Sequence, residues 1–245
     1  DASNYPVIFY RIVSGTYTSQ YDVGKYTVTL APGAGGSPAY NWIAPPLELF
    51  SNTVDYVLGN QLNYEPETAT DFDILKAQTA IGVEPQIDTY YYNGTWTDFD
   101  ADAMRIELGR GYILVVAAPH EVAKTVAFVG KVPDAAVTNI VSAPNSGNPA
   151  YNWIGAPTPA LRAFFVNGLT NPVVTTEAEE SAYFDIYKNQ TAIGVEPQID
   201  WYYYNGAWDN FDNGTAVQAP GMGGMLILDA NHTSADTTWI APKTH

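Results

Sequence analysis

Short runs of β-branched and aromatic residues, separated by Gly, Pro and Asn, dominate the pattern of hydrophobic and polar positions. Runs of this length, bounded by turn residues, predict β-strands. The clearest are residues 7–13, 26–30, 86–92, 105–107 and 112–117. Asn93 and Gly94 follow three tyrosines and precede Trp96, and this pair predicts a type I′ hairpin turn because both of its central positions need positive φ. The pattern favours a mainly β fold.

Helical spacing is confined to short segments. An apolar residue at every third or fourth position between residues 47 and 58 predicts one short helix, and residues 161–169 repeat the spacing in part. Residues 72–80 are a candidate for one further helical turn.

A long internal repeat organises the chain. Residues 72–100 and 184–212 are identical at 23 of 29 positions, with a constant offset of 112. Such a repeat predicts two tandem homologous β-rich modules, sandwich-like or barrel-like, each with one or two short helices. We assign residues 1–126 to an N-terminal module with a leading hairpin and residues 127–245 to its C-terminal duplicate.

A weaker similarity extends the repeat. Residues 7–25 align with 113–131, and residues 225–243 fall on the same frame. If each stretch is a two-strand hairpin, the chain has the order hairpin, body, hairpin, body, hairpin.

Three short motifs occur in the same order in each repeat: Tyr40-Asn41-Trp42 with the residues after it, a Tyr-Tyr-Asn-Gly-x-Trp hairpin, and Gly109-x-Gly111-Tyr112. They resemble a loosely defined class of secreted bacterial modules with YNLISLP-like, Y..G.W and PGxGYW-like motifs, many of them uncharacterised extracellular proteins of Verrucomicrobia and relatives. The resemblance implies a secreted or surface β-module without a specific activity. The second repeat departs from it, with Gly224 where the first has Tyr112.

Composition excludes several function classes. The chain has 26 acidic against 10 basic residues, a net charge of −16 and no cysteine. A polyanion has no electrostatic reason to approach nucleic acid, and no apolar run reaches the ~18–20 residues that span a membrane. Without cysteine, disulfides, thiolate zinc sites and cysteine nucleophiles are excluded. Low Lys with many Tyr, Thr and Asn residues favours an extracellular protein.

Acidic residues at alternating positions are candidates for a metal site. Carboxylate oxygens spaced in this way can hold Ca²⁺, although a solvated acidic turn has the same sequence. The candidate ligands are Asp98, Asp100, Asp102 and Asp212. Calcium is the one cofactor that the sequence suggests.

Catalytic signatures are absent. Glu84, Asp88, Glu196 and Asp200 form two pairs of carboxylates, but no nucleophile elbow, P-loop or His-Glu-x-x-His motif accompanies them. The aligned His120 and His232 each stand alone near a predicted strand end. We therefore predict that the protein is not an enzyme.

Aromatic side chains in the two hairpins are candidates for ligand binding. Rings on one face of a hairpin can stack on sugars, and the alternative is that they pack in the core. The candidate residues are Tyr91, Trp96, Tyr203 and Trp208. If they are exposed, the protein is a tandem carbohydrate-binding or surface-ligand-binding module without catalysis.

The repeat order favours a different function as the first hypothesis. A further module from the next chain could dock on the C-terminal end as the second module docks on the first, and a contact that does not close produces an open fibre. We predict an extracellular structural subunit that assembles with itself, head to tail, into a filament, sheath or surface layer through β-edge contacts, aided by calcium. The candidate assembly residues are Val7, Phe9, Trp239 and Ile240.

Overall fold

The structure is a computed structural model, and it describes residues 7–11, 13–59, 61–62, 72–80, 82, 86–97, 104–144, 147–170, 173–174, 184–192, 194, 198–210, 216–232 and 237–243. Its elements in chain order are β1 (Val7–Tyr10), β2 (Val13–Ser14), β3 (Tyr17–Thr18), β4 (Val23–Leu30), β5 (Ala39–Ile43), β6 (Glu48–Leu49), α1 (Val54–Val57), β7 (Asp73–Ala80), β8 (Gln86–Tyr92), β9 (Trp96–Thr97), β10 (Tyr112–Val116), β11 (Lys124–Lys131), β12 (Val137–Val141), β13 (Ala150–Gly155), β14 (Arg162–Ala163), β15 (Ile186–Ala192), β16 (Gln198–Tyr204), β17 (Trp208–Asp209), β18 (Val217–Gln218), β19 (Gly223–Leu228) and β20 (Thr237–Ala241).

The protein is mainly β, as the sequence predicts, and its sheets are antiparallel. Each copy of the repeat forms a five-stranded sheet of the same order, β5-β10-β7-β8-β9 in the first and β13-β19-β15-β16-β17 in the second. The first is accompanied by a four-stranded sheet of order β1-β4-β11-β6, and the second by the pairs β12-β20 and β14-β18.

The hydrophobic core lies between these sheets in two clusters, consistent with a β-sandwich. In the first cluster Leu75 and Leu114 of the five-stranded sheet pack with Val28 and Phe128 of the four-stranded sheet. In the second, Leu226 packs in a cluster with Val141 and Trp239 of β12 and β20. All these side chains are at most 7% exposed. Alternate residues of a strand face opposite sides, so strands such as β7 and β11 contribute every second side chain to the core.

Helix is almost absent. Among the described residues the only helix is the four-residue α1, which begins after Thr53, whose hydroxyl accepts a hydrogen bond from the amide of Tyr56. The further helical turn proposed for residues 72–80 is wrong, because Asp73, Leu75 and Ala77 are buried and the residues between them are not. This period of two places residues 73–80 in the central strand β7. Residues 161–169, the other predicted helix, form the two-residue strand β14 and turns.

The predicted hairpins are present only in part. The Tyr-Tyr-Asn-Gly-x-Trp hairpins form as β8-β9 and β16-β17, but three residues rather than two separate Tyr92 from its partner Trp96. Residues 113–131 do not form a hairpin, because β10 and β11 lie in different sheets. The predicted boundary after residue 126 falls inside β11, which pairs along its whole length with β4.

No helix in the described ranges has the length and apolar character needed to cross a membrane.

Candidate functional site

The two repeats meet through a reciprocal pair of glutamines. The side chain of Gln78 donates to the carbonyl of Tyr151 and accepts from the amide of Trp153, both at 2.7 Å. Gln190, its equivalent 112 residues later, donates to the carbonyl of Tyr40 at 2.8 Å and accepts from the amide of Trp42 at 2.6 Å. Each repeat therefore holds the Tyr-Asn-Trp strand of the other repeat in the same way.

Close approach of the two backbones completes this junction. The rings of Trp42 and Trp153 lie 5.7 Å apart between centroids and are 8% and 5% exposed. A Cβ added to Gly155 would overlap the Cβ of Ala44, so this position accepts only glycine at the present separation. Asn41, the middle residue of the Tyr-Asn-Trp motif, makes its hydrogen bonds within its own repeat. Its side-chain oxygen accepts a hydrogen bond from the amide of Ala31 at 2.8 Å.

The reciprocity of the junction has a consequence for assembly. A contact in which both partners use the same surface is isologous and closes on itself. Because each repeat already buries this surface against the other, a further copy cannot dock there. Head-to-tail growth by repetition of the repeat contact, as the sequence suggested, is therefore incompatible with the junction.

The two repeats differ at the strand edge beside β4 and its counterpart β12. In the four-stranded sheet, β4 pairs with β11 on one side and with β1 on the other. The strand β12 occupies the equivalent position in the second repeat, because it precedes β13 and pairs with the last strand, β20. Within the described part of the chain, no strand pairs with the other side of β12 or with the outer side of β1.

The predicted assembly residues divide between surface and core. Phe9 and Ile240 are 43% and 51% exposed, whereas Val7 is half-buried opposite Tyr26. Trp239 is fully buried, and its indole N–H donates to the carbonyl of Asn167 at 2.6 Å. Adjacent residues of a strand face opposite sides, so Trp239 is a core residue and only Ile240 can contact a partner.

The outer side of β20 is also occupied. A Cβ added to Gly168 would overlap the carbonyl oxygen of Ile240. The guanidinium of Arg162 donates to the carbonyls of Pro242 and Lys243 at 3.2 and 3.3 Å. Of the two strands in this pair, as far as the structure describes the chain, β12 rather than the C-terminal strand that the sequence indicated therefore has the unpaired edge.

No family model matches this chain, and neither a curated protein nor a solved structure matches it.

The predicted ligand-binding rings separate into two pairs. Trp96 lies opposite Tyr92 and shares its inward face, 5% exposed, with its indole N–H donating to the carbonyl of Gly59 at 3.1 Å. Trp208 donates in the same way to the carbonyl of Leu169 at 2.7 Å. Trp96 is therefore structural and offers no face for stacking, whereas Trp208 is half-buried and also lines a cavity of about 460 Å³ with Phe165 and Tyr204. Tyr91 and Tyr203 are half-buried on the opposite, outward faces.

One outward ring was missed by the sequence analysis. Trp201 shares the outward face of β16 with Tyr203 and is 53% exposed. The ammonium of Lys188 lies 3.9 Å from the centroid of its ring, a cation–π contact, and partial burial lowers the pKa of this lysine. Alternation along the strand could have identified Trp201, since it stands two residues before Tyr203.

The predicted calcium ligands Asp98, Asp100, Asp102 and Asp212 all lie outside the described residues. Elsewhere, among the residues that the structure describes, no group of three or more His, Asp or Glu side chains is placed to hold a metal ion.

Buried Asp–His pairs are a second feature that the sequence analysis missed. The imidazole Nδ1 of His120 lies 2.9 Å from the carboxylate of Asp73, and His232 lies at the same distance from Asp185. Each carboxylate also accepts a backbone amide, that of Ala117 at 2.8 Å or Asp229 at 2.7 Å. Burial raises the pKa of Asp73, while these hydrogen bonds oppose the shift. The sequence did contain a signal for these pairs, because the two aspartates and the two histidines are each separated by the repeat offset of 112 residues. Each pair fixes the loop after β10 or β19 to the start of the neighbouring strand.

Proposed function

We propose that this protein is an extracellular structural subunit whose copies join by β-strand addition. The observation that carries the proposal is the edge of β12, on which no described strand pairs, in the position where β1 covers the equivalent strand β4. A strand edge presents unpaired N–H and C=O groups, and pairing with a strand of another chain satisfies them.

The outer side of β1 is the natural partner of this edge. The two strands have four and five residues, so they can pair along almost their full length. Exposed apolar side chains accompany both, with Phe9 and Tyr10 on β1 and Ile140, 57% exposed, on β12. Because the two edges belong to different surfaces of the chain, the contact is heterologous, and repeating it produces an open head-to-tail fibre, sheath or layer.

The net charge of −16 opposes assembly, because copies repel one another at low ionic strength. Divalent cations would reduce this repulsion. In the proposal, calcium bound near Asp98, Asp100, Asp102 and Asp212 has this role.

Lysine substitutions on β12 test the proposal. Charged residues on an edge strand discourage pairing with another chain, so the double variant Thr138→Lys, Ile140→Lys is expected to remain monomeric under conditions where the unmodified protein forms ordered filaments or sheets. Light scattering after gel filtration and electron microscopy, each with calcium and with a chelator, measure the outcome.

Val122→Lys is the matched control, since Val122 is 73% exposed in the loop between β10 and β11 and the substitution adds a lysine away from either edge. It should assemble like the unmodified protein. A protein that stays monomeric at high concentration with or without calcium contradicts the proposal. So does an edge variant that assembles normally.

A tandem carbohydrate-binding module is the second candidate, favoured by the outward rings of Tyr91, Tyr203 and Trp201. If it is correct, Tyr203→Ala and Tyr91→Ala each weaken glycan binding on a broad array by about two- to tenfold, since stacking on one ring contributes about 0.5–1.5 kcal/mol. Tyr56→Ala, exposed on α1, is the control that should bind normally. Absence of binding to every glycan would argue against this function.

A further inference from the structure

A cleft of about 270 Å³ lies beside the junction between the repeats. Its wall comes mainly from the first repeat, with Asp88, Arg105, Glu107 and Arg110 around it, and Trp153 of the second repeat closes one side. Gln78 also lines it, and its hydrogen bond to the amide of Trp153 fixes the two walls relative to each other. The cleft is therefore rigid at its base and charged at its rim.

Three of the four charged residues of this cleft lie in one turn before β10, and the fourth, Asp88, lies in β8. Arg105 and Arg110 are two of only four arginines in the chain. Arg110 lies 3.8 Å from the carboxylate of Glu107, and Arg105 donates to the side chain of Asn52 at 3.1 Å. Two cations and two carboxylates in one cleft balance in charge and supply both hydrogen-bond donors and acceptors.

A buried tyrosine holds this turn in place. The hydroxyl of Tyr112 accepts from the amide of Glu107 at 2.7 Å and donates to the carbonyl of Arg105 at 2.9 Å. The first part of the segment that carries the charged side chains, from Arg105 to Glu107, is thereby fixed to β10. Preorganised side chains lose less conformational entropy when a ligand binds.

Comparison with the second repeat shows that this turn is not part of the architecture that the two repeats share. At the offset of 112, Arg105, Glu107, Arg110 and Tyr112 correspond to Val217, Ala219, Met222 and Gly224. The charged set and the tyrosine that positions it occur together in one repeat and are both missing from the other. The strands and the junction glutamine are present in both repeats, so the fold does not require the charged turn.

We infer that this cleft is a binding site for one neutral, polyhydroxylated ring, the size of a single sugar residue. Arginine and carboxylate side chains in a net-neutral cleft match the alternating acceptors and donors of adjacent hydroxyl groups. A free anion or cation would meet a like charge within the same cleft. The site is independent of the structural role proposed above and of the outward rings Tyr91 and Tyr203.

Titration of the full chain with glucose, galactose, mannose and N-acetylglucosamine, each followed by the NMR signal of the Trp153 indole N–H, tests this inference. At least one of these sugars should shift that signal in a saturable manner. Arg110→Gln is expected to weaken the affinity by about tenfold or more, because a hydrogen bond to a charged group contributes about 1.5–3 kcal/mol. Glu107→Gln, which keeps the shape of the side chain, should also weaken it.

Two controls separate this site from others. Arg11→Gln removes an arginine whose partner is Asp22, outside the cleft, and should bind as the unmodified protein does. Tyr203→Ala should also leave the affinity unchanged, since a loss there would place the sugar on the hairpin ring. The inference is overturned if no sugar shifts the Trp153 signal, if glucuronate alone binds, or if Arg110→Gln retains full affinity in a folded protein.

Discussion

Replacing His232 with alanine should lower the free energy of unfolding by about 1.5–3 kcal/mol, the usual contribution of a hydrogen bond to a charged group. The imidazole is fully buried, and the carboxylate of Asp185 beside it is 1% exposed. Without the ring, this carboxylate keeps its bond to the amide of Asp229 but loses the imidazole and faces a cavity that water cannot reach easily. Denaturant unfolding at neutral pH measures the loss.

A second substitution distinguishes charge from packing as the source of this loss. In the double variant Asp185→Asn, His232→Ala, the buried group is a neutral amide, so this variant should be more stable than His232→Ala alone. His120→Ala, the equivalent change in the first repeat, should cost less, because the His120 ring is 11% exposed and water can reach its position. A loss below about 1 kcal/mol for His232→Ala, within the range of an ordinary hydrogen bond, would contradict the expectation.

Gly224→Ala should destabilise the second repeat by about 1–3 kcal/mol, the usual cost of overpacking a core. A Cβ at this position would overlap the hydroxyl of Tyr187, and that ring is 1% exposed and cannot move outward. The first repeat has the opposite arrangement, with Tyr112 in the place of Gly224 and Leu75 in the place of Tyr187. Each core therefore receives one large ring, but from a different strand.

A double-mutant cycle tests this exchange of side chains. Tyr187→Leu alone should be destabilising, because it leaves a cavity and removes the acceptor of the Gln218 side-chain amide. Combined with Gly224→Ala, it should cost less than the sum of the two single changes, since the smaller side chain makes room for the added methyl group. In the first repeat, Leu75→Tyr should be destabilising against Tyr112. Strict additivity in the cycle would show that the two positions do not compete for the same space.

Several features of the candidate sites could be deduced from alternation along single strands. Trp239 and Ile240, as neighbours in one strand, must face opposite sides, and Trp201 must share a face with Tyr203. Assigning residues 72–80 to a strand follows from the period of two that Leu75 and Ala77 share. These conclusions need only the geometry of an extended chain.

Other features depend on contacts between residues far apart in the sequence. The junction joins Gln78 to Trp153 and Gln190 to Trp42 across 75 and 148 positions. The two glutamines lie in the most similar part of the repeat, where nothing distinguishes a side chain that binds the other repeat from one that faces solvent. The partner of His232 lies 47 residues away and could not be predicted from local spacing either, because the two residues of a buried pair need not be close in the sequence.

The sequence by itself determined the β class, the repeated unit and the alternation that places one face of each strand in the core, because these depend on local geometry and on hydrophobic pattern. Only the tertiary structure decided that the contact between the repeats is reciprocal, that in the described part of the chain β12 rather than β20 has the unpaired edge, and that one cleft carries the charged turn. Each of these is set by which distant strands pair and which surfaces are then buried, and that competition among long-range contacts leaves no periodic trace along the chain.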